Sequence, residues 1–383
     1  MKKVLFVATV SQHFFYFHQP CFELFNKWGW EVHVACSGDF PLNFVDERHD
    51  IPFSRSPFSV HNIQAYGALK KIIDSNKYDI IHCHTPVGGA ITRIAARNSR
   101  KSGTRVIYTA HGFHFFKGAS FLNWCLYYPI ESLLSRDTDC LITINDEDYE
   151  IAQKRLHSAR VDYIHGVGCD NSRFHKANEE KKREIRRTLG YKDDEFLMIY
   201  VAELNKNKNQ SMLIKAVKQV RRSYPNVRLL LVGPDNFCGT HREFAKRINA
   251  IDGIDFLGTR NDVEYLLNAC DIAVASSFRE GLPVNIMEAM SCGLPVVATD
   301  NRGHRALVND GTTGFLVDIN DYLSMSLKIE TLMKEKGLYN LMSENALKAV
   351  EPFFKSNVLT ELESIYTKYD DVVASTHEKA EVK

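Results

Sequence analysis

Short apolar runs alternate along the chain with longer stretches in which apolar residues recur at helical spacing. In the first half, Val4–Ala8, Glu31–Cys36, Ile80–His84, Arg105–Thr109 and Cys140–Ile144 read as strands. Between them, helices are predicted near Pro20–Trp28, Ile63–Ser75, Gly88–Asn98, Phe121–Ser135 and Asp146–Leu156. Strands that are apolar on both faces and alternate with helices predict a parallel sheet covered on both sides.

The second half repeats this grammar. Phe196–Val201, Val227–Val232, Ile254–Leu257, Ile272–Ala275, Pro295–Ala298 and Gly314–Val317 are the strand candidates. Helices are expected near Lys208–Arg222, His241–Ala250, Asp262–Ala269, Val284–Met290 and Leu323–Lys336, the last with Gly337 as its C-terminal cap. The span Asp170–Lys192 is polar and charge-rich, with Gly190 as a helix stop, and the linker is placed near Gly168–Lys176. The expected organisation is an α/β protein of two Rossmann-like, doubly wound parallel-sheet domains facing across a cleft. Residues 1–172 form the first domain and 173–352 the second. A helix over 353–373 is expected to pack back on the first, and 374–383 to be a flexible tail. In such sheets ligands bind outside the carboxyl ends of the strands.

Length changes little in this picture: 383 residues suffice for two domains that each bury a core. Hydrophobic content is 44%, charged content 25% and net charge +1, so charge gives no argument for a nucleic-acid partner. Two basic runs stand out, Lys181, Lys182, Arg183, Arg186 and Arg187, and Arg93, Arg97, Arg100, Lys101 and Arg105. They read first as solvated helix faces, with attraction to phosphates or an anionic membrane as the other reading. The nine cysteines have no CxxC pair and fit buried thiols in a reducing cytoplasm. The apolar run Val4–Val10 stops at Ser11-Gln12-His13 and reads as a buried strand rather than a signal peptide. No run reaches the ~20 apolar residues that span a bilayer, so membrane contact is expected to be peripheral.

The stretch richest in chemistry runs from Ser277 to Asp300. A strand leads into a polar turn holding Glu280 and Gly281, and a helix begins near Pro283, where proline suits the first turn. The backbone N–H groups of Gly281, Leu282 and Val284 would point at an anion, and glycine admits a phosphate close to the main chain. Singly, Glu280 reads equally well as a helix-dipole partner and Glu288 as a solvated helix residue. Together, their spacing resembles the E-x7-E signature of GT-B retaining glycosyltransferases of family 4. Gly293-Leu-Pro-Val-Val-Ala-Thr-Asp300 and Asp310-Gly-Thr-Thr-Gly-Phe-Leu-Val317 extend the match.

The resemblance covers nearly the whole chain. Val201–Gln210 is similar to the family's first strand-to-helix turn of the second domain, where an arginine and a lysine grip the donor diphosphate. The lysine matches at Lys208, and the arginine position holds Glu203. Gly233-Pro234 and Gly258-Thr259 resemble loops lining the nucleotide pocket. Tyr108-Thr-Ala-His111-Gly112 resembles the segment whose histidine reaches the donor sugar. The turn Thr9–His18, His111–Gly118 and Asn301–Arg305 resemble the EpsD-like transferases of bacterial exopolysaccharide and capsule assembly.

That resemblance implies transfer of a hexose or N-acetylhexosamine from a UDP-sugar to a polyprenyl-diphosphate-linked glycan at the inner face of the plasma membrane, with retention and without metal. Glu288 would accept hydrogen bonds from ribose hydroxyls and Glu280 from the sugar. Lys208, with the N–H groups of Leu282 and Val284, would offset charge on the leaving diphosphate. His111 would contact the sugar near the reacting carbon. Thr9, Ser11, His13 and His84 are acceptor-side candidates.

Other signals are weaker. Asp146-Glu147-Asp148 reads as helix-start acids, and His82-x-His84 lacks a completing ligand set, so no metal or other cofactor is expected. Phe14, Phe15, Tyr16 and Phe17, with Phe113, Phe115, Phe116, Phe121 and Trp124, read as core or as an apolar lip at a membrane. Other polysaccharide-assembly enzymes are expected as partners. Competing functions are a GT-B sugar-nucleotide epimerase and an idle nucleotide-binding scaffold, to which Glu203 points. A dehydrogenase is disfavoured, because the first strand does not lead to a GxGxxG turn.

Overall fold

The computed structural model describes residues 1–369. It divides into two compact units: residues 1–168 with the segment beginning at Ser356, and residues 169–355. The division at Gly168/Cys169 falls four residues before the expected boundary. Cys169 already pairs with Phe354 as an isolated parallel bridge inside the second unit. The tail expected from residue 374 lies outside the described residues.

The first unit holds a seven-stranded sheet: β1 (Lys3–Val10), β2 (Glu31–Ser37), β3 (Glu47–Asp50), β4 (Ile80–His84), β5 (Arg105–Ala110), β6 (Cys140–Thr143) and β7 (Arg160–Tyr163). Its order is β3-β2-β1-β4-β5-β6-β7, and every pairing is parallel. The five inner strands are those the apolar runs predict. The edges β3 and β7 read ERHD and RVDY, with no apolar run to reveal them, as suits strands that must not attract further pairing. The order reverses between β1 and β4, which puts the ends of these strands at a topological switch point.

The second unit repeats the plan with six strands: β8 (Phe196–Val201), β9 (Val227–Val232), β10 (Ile254–Gly258), β11 (Ile272–Ala275), β12 (Val296–Thr299) and β13 (Gly314–Val317). They run β10-β9-β8-β11-β12-β13, again all parallel, with the reversal between β8 and β11. A continuous core surrounds these strands, and each of Leu197, Leu229, Ile272 and Val297 is fully buried.

Two expectations about helices are corrected, at Gly337 and after β1, and the helix stop expected at Gly190 is met. Gly337 is not a cap. The preceding helix, Tyr322–Lys334, ends at Glu335 in a conformation outside the helical range, and Gly337 lies inside a further helix, Lys336–Val350. The polar span before Gly190 contains a helix, Glu179–Leu189, capped by the Asn178 side chain on Lys181 N and closed by Gly190 at φ +82°. The aromatic turn after β1 is itself helical over Ser11–Phe17.

The basic runs are partly paired, while Lys101, Arg183 and Arg187 stay exposed as the solvated-face reading expects. Arg93 is fully buried, with bidentate contacts of 2.8 and 2.9 Å to Glu131, while Arg97 and Arg100 pair with Asp137 and Asp139. Lys182 and Arg186 both pair with Asp271. The closing helix, Lys355–Thr367, lies against the first unit: Tyr366 Oη is 2.7 Å from His82 Nδ1, and Glu361 is 2.6 Å from His165 Nδ1.

Candidate functional site

In the second unit, the loops that follow β8 and β11 leave the sheet side by side at its switch point. Lys208 Nζ donates to Glu280 Oε1 over 2.6 Å, joining the two loops. Backbone contacts hold them in register: Ser276 Oγ donates to the carbonyls of Lys208 and Asn209, and Phe278 N to Asn207 O. Beneath them, Tyr200 and Ser277 share a buried hydrogen bond of 2.6 Å.

A third loop braces the Glu280 turn. Asn301 Nδ2 donates to Ser277 O, and Asn301 Oδ1 caps the short helix Arg302–Arg305. A Cβ on Gly303 would meet Glu280 Cβ at 2.6 Å, so only glycine lets this helix approach so closely. The motif Asn301–Arg305 entered the sequence reading only as a family mark. Its structural part is to fix Glu280.

The nucleotide loops lie alongside. Gly233 adopts φ +144° and donates to Gly258 O at 2.8 Å, while Leu204 N donates to Pro234 O at 2.9 Å. Thr259 follows Gly258 on the exposed rim. Glu203, at the arginine position, accepts from Asn205 Nδ2 and Asn236 Nδ2, both at 2.7 Å. Two neutral amides therefore hold its carboxylate, and it forms no ion pair with Lys208.

Gly281, Leu282 and Pro283 lead into the helix Val284–Ser291, whose N-terminus no side chain caps. Its first N–H groups are available to an anion. Glu288 sits on this helix, and its carboxylate makes no hydrogen bond to any described residue. Burial raises its pKa to about 7, against the lowering pull of Arg173 and Lys355. A carboxylate left without donors is suited to a ligand that brings its own hydroxyls.

The first unit supplies a different chemistry. Behind the ends of β1, β4 and β5 lies a largely apolar cavity of about 720 Å³, whose walls include Thr9, His13, Tyr16, Ile91, Tyr127 and Ile130. Thr9 and Thr85 hydroxyls meet at 2.7 Å on its wall. Thr85 holds φ +64°, a strained conformation for a β-branched residue, at the point where β4 turns into the cavity. No sequence signal marks that strain. Two lining residues, Tyr108 and Glu131, are held by the buried Arg93, whose guanidinium lies 4.0 Å from the Tyr108 ring centre and pairs with Glu131.

His111 and its neighbours cluster at the same sheet edge. Burial lowers His111 to a pKa of about 4 and keeps His13, His18 and His84 well below the ordinary value. These four are neutral imidazoles at neutral pH. The His111 loop is held from behind by Asp148, which accepts from Phe113 N at 3.0 Å and from Asn145 Nδ2 at 2.8 Å. Glu147 likewise accepts from Lys117 N. The acids at 146–148 thus shape this loop as well as opening their helix. Ser11 is buried, and its hydroxyl accepts from Phe40 N at 3.1 Å, which ties it to the loop after β2.

The aromatic segments divide sharply. Phe14, Phe113 and Phe115 are core, whereas Tyr16 is exposed. On the helix Phe121–Ser135, Phe121, Cys125, Pro129 and Leu133 are exposed at four-residue spacing, with Leu122 and Ile130 beside them. They form an apolar stripe on one helix face. Phe121 and Leu122 are 83% and 72% exposed, far beyond what a core helix leaves to water. Among the described residues no helix is long and apolar enough to cross a membrane.

Comparisons with known proteins agree with this layout. Residues 181–349 match the family described as Glycosyl transferases group 1, and residues 3–145 match Glycosyl transferase 4-like. The chain is 44% identical over 381 residues, 99% of each chain, to EpsD of Bacillus subtilis (strain 168), whose glycosyltransferase role is itself an assignment. It is 28% identical over 365 residues, 92% of each chain, to the UDP-Gal:alpha-D-GlcNAc-diphosphoundecaprenol alpha-1,3-galactosyltransferase of Escherichia coli. Among solved structures, Anabaena HepE in complex with UDP and glucose has a TM-score of 0.77 at 20% identity, over 96% of this chain and 100% of that one. Two doubly wound units, the Glu280–Glu288 segment and a relative at this identity along the whole chain together place the protein among the GT-B glycosyltransferases of family 4, as an EpsD-like member.

Proposed function

We propose that the protein moves a hexose or N-acetylhexosamine from a UDP-sugar to a polyprenyl-diphosphate-linked glycan, with retention of configuration, in the assembly of an exopolysaccharide or capsule. The observation that carries this reading is the pairing of Lys208 with Glu280 beside a Glu288 carboxylate that has no protein donor. Glu288 takes the ribose hydroxyls and Glu280 orients the sugar. Lys208 and the uncapped N–H groups of Leu282 and Val284 stabilise the departing diphosphate. The bond from the anomeric carbon to the diphosphate oxygen breaks as the acceptor oxygen bonds on the same face. The acceptor proton passes to the leaving phosphate, so no protein nucleophile is needed. His111 contacts the sugar near that carbon.

The lipid-linked acceptor is supported from the first unit. The apolar cavity and the exposed stripe from Phe121 to Leu133 share Ile130, so an apolar chain leaving a bilayer has a continuous surface to follow. The Escherichia coli relative is named for an acceptor of this class. Contact with the membrane is then peripheral, through that stripe.

The test is transfer from a panel of UDP- and GDP-sugars to a synthetic short-chain polyprenyl-diphosphate-linked monosaccharide, read by mass and by the anomeric coupling of the product. An α-linked disaccharide from one UDP-sugar is the expected result. A β-linked product would overturn retention. Nucleotide binding without transfer to any lipid-linked acceptor would favour the scaffold reading to which Glu203 points.

A further inference from the structure

Four histidines converge where the first sheet reverses its strand order. His13 and His18 follow β1, His84 closes β4 and His111 follows β5, and these three strands are neighbours. Each residue offers one ring nitrogen such that all four atoms lie within 4.8 Å of one another. Their ring centres are separated by 4.0 Å (His18 to His84) up to 6.1 Å (His18 to His111).

The hydrogen bonding of this cluster is incomplete in a specific way. His13 Nε2 and His18 Nε2 stand 3.0 Å apart, but His18 Nδ1, both nitrogens of His84 and His111 Nε2 are buried with no partner. The adjacent His82 shows what a satisfied structural histidine looks like here. Its Nδ1 meets Tyr366 Oη at 2.7 Å and its Nε2 meets Thr109 Oγ1 at 2.8 Å. Buried polar nitrogens are rarely left orphaned, and the contact between His13 and His18 leaves these four nitrogens unmatched.

We propose that His13, His18, His84 and His111 form a binding site for a divalent first-row transition metal ion, with zinc the best fit. Zinc takes imidazole nitrogens at about 2.0–2.1 Å in a tetrahedron, which sets ligand atoms about 3.3 Å apart and ring centres about 5 Å apart. The His13–His18 nitrogen separation and the range of ring separations straddle these values. The all-nitrogen donor set suits zinc over magnesium or calcium, which require oxygen. A second group, His33 with Glu47 and His49, lacks the same support, because the His33 nitrogens already contact Tyr78 Oη and Glu31.

Such an ion would tie the β1 turn to the ends of β4 and β5, and would fix the segment that carries His111 and Gly112. Each ligand keeps a second ring nitrogen for other contacts, so His111 remains able to donate to a substrate. His13 also lines the cavity, which places the cation at the cavity wall. The inference stands on unit-one geometry alone and does not rest on the sugar-transfer reading.

The experiment uses the full chain without an affinity histidine tag, stripped with chelator and then given zinc or cobalt. After desalting, metal content is measured, and the visible spectrum of the cobalt form reports coordination. One retained equivalent of zinc and an intense tetrahedral cobalt spectrum are expected. His18→Gln and His84→Asn should each lose the retained metal, while His61→Gln, on the exposed start of another helix, should keep it. Should those variants fail to fold, X-ray absorption of the zinc-loaded parent decides, with four imidazole nitrogens at about 2.0–2.1 Å expected. No retained metal, an octahedral cobalt spectrum, or full retention in folded His18→Gln and His84→Asn would each overturn the site. UDP-sugar binding measured on the same samples separates this outcome from failure of the donor site.

Discussion

Lys208 and Glu280 lie 72 residues apart in sequence, yet their side chains meet at 2.6 Å, joining the loops after β8 and β11. Both are largely shielded, with side-chain exposures of 20% and 14%. The pair spans the second sheet's switch point, where a diphosphate would lie against the uncapped helix Val284–Ser291. Lys208→Ala removes the cation and leaves Glu280 without its partner. A fall in kcat/KM of about 10²–10³ is expected, the size of losing one preorganised stabiliser of the leaving group. Initial rates across donor concentrations check this, and undiminished rates would remove Lys208 from the site.

Glu288 predicts a pH signature. Its carboxyl titrates near 7 in the folded protein against an ordinary 4.5, so between these values the folded state holds more protons than the unfolded one. Stability from this group is therefore present at low pH and lost as pH rises from 4.5 to 7. Glu288→Gln should gain on the parent in Tm across that window and hold a constant lead above it. Ribose hydroxyls bind the ionised carboxylate better, so UDP-sugar affinity should rise with pH through about 7 in the parent and stay flat in the variant. Calorimetric titration at stepped pH reads both trends.

The first unit should respond to acid with the opposite sign. Burial lowers His82 from 6.5 to about 3 and His111 from 6.5 to about 4. The unfolded chain binds protons there that the folded chain refuses, so stability is full above 6.5 and falls as pH drops towards those values. His82 also anchors the closing helix through Tyr366. Tyr366→Phe removes that hydrogen bond and should cost about 1 kcal/mol at neutral pH. Denaturant melts of parent and variant at neutral and acid pH test both statements, and an acid-stable parent would contradict the first.

The apolar stripe yields a binding prediction. Phe121→Ser with Leu122→Ser should leave the fold intact, because both side chains are solvent-exposed. Sedimentation with vesicles of bacterial lipid should fall several-fold for the double variant. Equal sedimentation of parent and variant would move the membrane contact elsewhere.

What could be read in advance follows from where the information sits. Inner strands such as β8, β9 and β11 were legible to the residue, because burial on both faces demands unbroken apolar runs. The edges β3 and β7 were not, since their residues are chosen to face water. Glu280 and Glu288 were singled out by their spacing around one turn and Lys208 by the resemblance of Val201–Gln210 to a family turn, while the contact between Lys208 and Glu280 needed the fold. The brace from Asn301 to Ser277 was not, because it depends on the ends of β11 and β12 meeting. The histidine cluster was missed for the same reason. His82 and His84 share one face of β4, yet packing gave His82 to Tyr366 and Thr109 and left His84 beside His13, His18 and His111.

Gly233 offers the sharpest separation of backbone from side-chain effects. It holds φ +144°, and an added Cβ would sit inside the contact distance of the Ala202 carbonyl oxygen, which is backbone and cannot swing aside. Gly239 also has positive φ, at +74°, but nothing lies within 4 Å of its would-be Cβ. Gly239→Ala should therefore cost only the conformational strain, about 1 kcal/mol. Gly233→Ala adds a steric push on the strand-to-helix turn that carries Glu203 and Lys208, through the Leu204–Pro234 and Gly233–Gly258 hydrogen bonds. It should cost about 1–3 kcal/mol and weaken UDP binding well beyond Gly239→Ala. Thermal melts with and without UDP distinguish the two. If both variants bind UDP alike, the turn tolerates the displacement and Gly233 does not shape the nucleotide pocket.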